Sequence, residues 1–74
     1  MKARSLPAPG DRVGTVCGPG QFPQDNPGTV LCHHTDRWGT HALVLMDTGE
    51  TEHCHGITEV GIGWYLLKHP QPAL

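Results

Sequence analysis

The sequence has no excess of basic residues. Its 5 Lys and Arg stand against 7 Asp and Glu in 74 residues, so it lacks the charge that drives non-specific binding to nucleic acid or to membrane surfaces. Long apolar runs are also missing. The longest, Ala42 to Met46, is far too short to span a bilayer, and Met1 to Pro7 holds no apolar stretch to serve as the centre of a secretory signal. A cytoplasmic protein that does not engage membranes is the expectation. Room for helices is scarce, because 10 Gly and 7 Pro leave no interval longer than ten residues free of both. An ordinary helix of about eleven residues hardly fits, which excludes a helical bundle. A chain this short holds one domain and buries only about 60% of its unfolded surface.

Catalytic signatures are equally sparse. Ser5 is the sole serine and lies in the N-terminal segment. Gly18-Pro19-Gly20 is no phosphate loop, since proline removes a backbone donor and neither Lys nor helix follows. Cys54 stands between His53 and His55, but neighbours on a strand point to opposite sides, so neither ring reaches its sulfur. No enzyme activity and no cofactor are expected. The cysteines Cys17, Cys32 and Cys54 are odd in number and unpaired in spacing, so all three are expected as reduced thiols filling the core in a reducing compartment.

What is present is a series of short β-branched and apolar runs cut by turn residues, the pattern of a small all-β domain. Strands are expected at Asp11 to Cys17, Thr29 to His34, Thr40 to Met46, Glu50 to His55 and Gly63 to Leu67. Gly14 in the first suggests a bulge or bend. The breaker-rich segment Gly18 to Gly28 is a long loop, and Gly56 to Gly61 suits a single 3₁₀ turn before the last strand. Residues 1–9 and the Pro-rich 69–74 read as tails around a domain spanning 10–68. Between the third and fourth strands, Thr48 resists positive φ. A three-residue Asp47-Thr48-Gly49 loop with Gly49 left-handed therefore fits, pairing Met46 with Glu50.

The arrangement describes a five-stranded SH3-like barrel. Pro9-Gly10-Asp11-Arg12-Val13 with Gly18-Pro19, then Gly28-Thr29-Val30, then Val44-Leu45-Met46-Asp47-Thr48-Gly49-Glu50 resemble the KOW, Tudor and Mib/Herc2 type of SH3-like module. In such modules a Gly-Asp-x-Val opening, a Gly-x-Val entry to the second strand and an apolar-Asp-x-Gly hairpin recur. The resemblance covers roughly Gly10 to Lys68 and implies a binding module. The chain departs from it in a longer, Pro-rich first loop, in lacking the basic residues that KOW modules place on RNA, and in lacking a four-membered aromatic cage. Nucleic acid is accordingly the third choice of ligand.

The 6 histidines are numerous for 74 residues. The three-residue turn sets Leu45 opposite Thr51, Leu43 opposite His53, Ala42 opposite Cys54 and His41 opposite His55. One face then carries Val30, Cys32, Ala42, Val44, Met46 and Cys54, the other Leu31, His33, His41, Leu43, Leu45, His53 and His55. The first is the better core, because it buries small and apolar groups without imidazoles. It leaves Glu50 and Glu52 on the core side, which is tolerable only if the hairpin projects beyond the barrel. A two-residue turn would instead bring His53 and His55 inward.

With the first register, leucines and histidines share an outer face. Leu43 and Leu45 there suit a protein or peptide partner or a homodimer, while His33, His41 and His55 lie at cross-strand spacing for a metal ion, without a CxxC or HxxxH signature. Imidazoles that only pack and solubilise are the plain alternative. Phe22 in the first loop and Trp38 in the second are expected to meet at one rim, as a ligand groove or as plugs of an open barrel end. The expected function is a non-catalytic module binding a protein or peptide, with metal binding as the alternative.

Overall fold

The computed structural model describes residues 5–58 and 60–67. The expected strands form as β1 (Arg12–Val16), β2 (Pro27–Asp36), β3 (Gly39–Met46), β4 (Thr51–Cys54) and β5 (Gly63–Leu66). They make one antiparallel sheet in the order β4-β3-β2-β1-β5. Beyond β4, Ile57 forms a single parallel bridge with Trp64 of β5. No helix among the described residues is long and apolar enough to cross a membrane.

The 3₁₀ turn occurs at Pro23–Asp25, ahead of β2 and not ahead of β5. Pro23 presets φ there, and the Asp25 carboxylate accepts the Phe22 N–H at 3.1 Å. After β4, Ile57 and Thr58 make β-type backbone bonds instead. Ile57 N–H donates to the Ser5 carbonyl and Thr58 N–H to the Trp64 carbonyl, at 2.9 and 2.7 Å. The C-terminal tail expected at 69–74 lies outside the described residues. At the other end, residues 5–9, counted with a tail in the sequence, contact the sheet: Pro7 is buried, and its carbonyl lies 2.7 Å from His33 Nε2.

The β3–β4 turn has the three-residue form. Gly49 takes φ of 99°, Met46 N–H donates to the Glu50 carbonyl at 2.7 Å, and Gly49 N–H to the Met46 carbonyl at 2.8 Å. Ala42 then opposes Cys54, Leu43 His53, Val44 Glu52 and Leu45 Thr51. The core is built from small side chains: Val13, Val30, Ala42, Val44, Met46 and Cys54, with Ile57 and Trp64 packed against it. Gly14 sits where the 3₁₀ turn crosses β1, and a Cβ there would overlap the Pro23 backbone. Its role is close approach, and the irregularity expected at Gly14 lies in β2.

That irregularity is a bulge between Val30 and Cys32. Val30 opposes Val44 but Cys32 opposes Leu43, leaving Leu31 as the extra residue. From there on, every side chain of β2 changes sides. Cys32, expected in the core, is exposed beside Leu43. His33, expected outside, opposes core Ala42 and bonds toward Pro7. Cys17 is exposed as well, because it lies past the end of β1 where the first loop begins. Only Cys54 fills the core as expected.

Burial pushes the Cys54 thiol above its ordinary pKa, against a smaller lowering by a hydrogen bond with the Gly56 backbone. Iodoacetamide should therefore label Cys17 and Cys32 at the rate of an unfolded peptide and Cys54 at least about tenfold more slowly. Peptide mapping against time reads all three, and equal rates, or a protected Cys32, would overturn the bulge.

Candidate functional site

Two features stand out on this scaffold, one on each side of the strands. On the core side, a groove of about 480 Å³ opens between the end of the first loop and the β3–β4 turn. Strand parity places Glu52 beside Val44, so its carboxylate leaves the sheet on the core side, at the end where the hairpin outruns the core. Glu50 follows at the turn. With Asp25 and Asp47 they put four carboxylates in the lining, which contains no Lys or Arg, and Met46, Thr15, Trp64 and His53 are among the other residues of its wall.

The Asp47 carboxylate is already engaged. It accepts two hydrogen bonds from the Arg12 guanidinium, both 2.7 Å, and Arg12 also donates to Thr29 Oγ1 at 2.8 Å. The pair holds the Asp47 pKa below and the Arg12 pKa above their ordinary values, chiefly through the hydrogen bonds. Solvent screens it, so its main effect is to fix the turn against β1. Glu50 and Glu52 take part in no ion pair among the described residues.

On the outer face four histidines cluster, and the bulge makes His34 the one that β2 contributes. His34 on β2 opposes His41 on β3, with ring centroids 5.3 Å apart. From β4, His53 stacks on His41 at 4.4 Å with planes 18° apart, and the ring of His55, just past the strand's end, lies at 5.1 Å. The surrounding rings cover His41, expected at the surface, down to 3% exposure, while they remain exposed themselves. Asp36 Oδ2 stands 3.9 Å from His41 Nδ1. The His41 pKa lies below the ordinary histidine value because of burial first and then His53, with His55 and His34 adding to the effect and Asp36 opposing it.

The other residues singled out in the sequence are dispersed. Leu43 is half-buried in the row that joins Cys32 to His53, and Leu45 is 39% exposed. Phe22 and Trp38 are exposed, but one precedes the start of β2 and the other follows its end. They do not line the acidic groove, nor the second groove formed by Val16, Pro19, Pro23, Ile62 and Tyr65. Arg37 lies over the Trp38 ring, 4.9 Å from its centroid. His34, His53, Glu50 and Glu52 were not among the expected site residues. The two glutamates on core parity carried the available signal, since a carboxylate placed there must end at an opening.

Compared with protein families, curated proteins and solved structures, the chain matches none.

The lowered His41 pKa sets a pH dependence. The unfolded chain takes up a proton near pH 6.5, and the folded chain does so only at lower pH, so the unfolded state binds more protons in between. The stability involved is fully present above about pH 6.5 and is lost as pH falls through the folded value. Urea midpoints should decline from about pH 7.5 to about pH 5.5, and His41→Phe should flatten the decline. A wild-type midpoint that does not move over this range would contradict the burial of His41.

Proposed function

We propose that the protein is a small, non-catalytic binding module of SH3-like barrel type whose acidic groove takes a cationic segment of a protein partner. The observation that carries this reading is the placement of Glu50 and Glu52, two carboxylates in no ion pair among the described residues, in the lining of an otherwise partly apolar groove with Trp64. A Lys or Arg side chain fits such a lining through charge and through the face of the indole. The Arg12–Asp47 pair preorganises one wall. Strand order β4-β3-β2-β1-β5 and the Ile57–Trp64 bridge support the barrel, because they bring the segment after β4 back to β5 at the far edge of the sheet.

The same charges argue against nucleic acid. Carboxylates at the groove repel phosphates, and the two basic residues among those described, Arg12 and Arg37, are occupied by Asp47 and Trp38. A buried Cys54 thiol with a raised pKa is a poor nucleophile, in keeping with a non-catalytic role. A second copy of the chain is the other partner to consider, through Leu45 and Leu31, which are 39% and 46% exposed.

Titration of a Trp38→Phe protein with a lysine- and arginine-rich decapeptide, followed by Trp64 fluorescence, tests the groove. A saturable change is expected that weakens with salt, and Glu50→Gln with Glu52→Gln should raise Kd roughly tenfold, about 1.4 kcal/mol. An acidic peptide that binds equally well, or an unchanged Kd in the double variant, would overturn the reading.

A further inference from the structure

His41 presents a polar group that its surroundings leave unanswered. The side chain is 3% exposed, and its Nε2 is buried with no hydrogen-bond partner among the described residues. Buried polar groups are almost always bonded, because the desolvation of an orphan is not offset. Its other nitrogen, Nδ1, faces the Asp36 carboxylate at 3.9 Å. A proton on Nδ1 is favoured by that carboxylate, and the Nε2 lone pair is then bare, on a ring whose neighbours are three more imidazoles. A carboxylate behind one nitrogen and an empty lone pair on the other is the disposition of a metal-ligating histidine.

We infer that this face binds a divalent transition-metal ion of the zinc class, with His41 as the central ligand and His34, His53 and His55 supplying the remainder. The backbone brings these residues together from three adjacent strands. His53 lies on β4 and His55 just past its end, both with their rings against His41, while the register sets His34 directly across from His41. Two imidazoles on one tetrahedral ion, each nitrogen about 2.0–2.1 Å from it, have ring centroids about 5.2 Å apart. The His41 ring lies 5.3 Å from His34 and 5.1 Å from His55.

As the rings stand, no three donors among the described residues converge on one point, and His53 lies face to face with His41. Metal binding therefore requires the exposed rings of His34, His53 and His55 to turn about their side-chain torsions. The donors decide the class of ion. Neutral imidazoles suit zinc, copper and nickel, whereas calcium and magnesium require oxygen ligands that this cluster does not provide. The site is distinct from the three residues expected from the sequence, because the bulge carries His33 to the other side and puts His34 in its place.

Untagged protein titrated with zinc chloride in a calorimeter provides the test, accompanied by thermal melts and by the absorption spectrum of the cobalt(II) form. The wild type should bind one zinc with sub-micromolar affinity and melt at higher temperature with the metal. Because His34 and His55 are exposed and line neither groove, the His34→Ala, His55→Ala double variant should keep its circular dichroism while Kd rises at least about a hundredfold. Cys17→Ser with Cys32→Ser should leave affinity intact, and the cobalt spectrum should lack thiolate charge-transfer bands. Absence of zinc binding by the wild type, an unchanged Kd in the double histidine variant, or loss of binding in the cysteine variant would each overturn the inference.

Discussion

A single extra residue in β2 determines what each side of this protein presents. Sheet side chains alternate, so inserting Leu31 between Val30 and Cys32 reverses the facing of the rest of the strand. Before the bulge, Val30 meets Val44 in the core. After it, an uninterrupted strand would have put Cys32 inward and His33 outward. The bulge exchanges them. His33 reaches the Pro7 carbonyl and fastens the segment that precedes β1, while His34 joins His41. The bulge thus decides which imidazole of β2 stands across from His41, His34 in place of His33, from a backbone irregularity some ten residues away in sequence.

The strands themselves were legible because β-branched runs and Gly and Pro punctuation are local signals. The β3–β4 register was legible for a comparable reason: Thr48 and Gly49 dictate a turn length, and turn length dictates which residues oppose one another. The bulge was not, since Val30-Leu31-Cys32 contains no glycine and looks like continuous strand. Gly14 drew attention instead, although its missing side chain makes way for Pro23. A 3₁₀ turn is not found at Ile57 because its N–H bonds to the Ser5 carbonyl, a contact distant in sequence that no local pattern announces. The histidine cluster could be anticipated on β3 and β4, where the register was right, and missed on β2, where it was not.

The same alternation separates two chemistries. Apolar residues too few to fill the core-facing side of the β3–β4 hairpin give way to Glu52 and Glu50, and the opening they leave is acidic. The opposite side of the same strands carries imidazoles, neutral near pH 7 at its buried centre. With a core of valines, alanine, methionine and cysteine, the domain has little apolar bulk to cover either side, which leaves both available as surfaces. The Arg12–Asp47 pair anchors the hairpin that they share.

The facing of β2 is therefore the claim on which the rest stands, and it is most directly read from nuclear Overhauser contacts between imidazole protons in the isotope-labelled protein at neutral pH. Cross-peaks between the rings of His34 and His41 and between those of His41 and His53, with none from His33 to His41, are the predicted result. Cross-peaks linking His33 to His41 or Leu43, with His34 directed away, would show an unbroken β2 and would contradict the account of both faces.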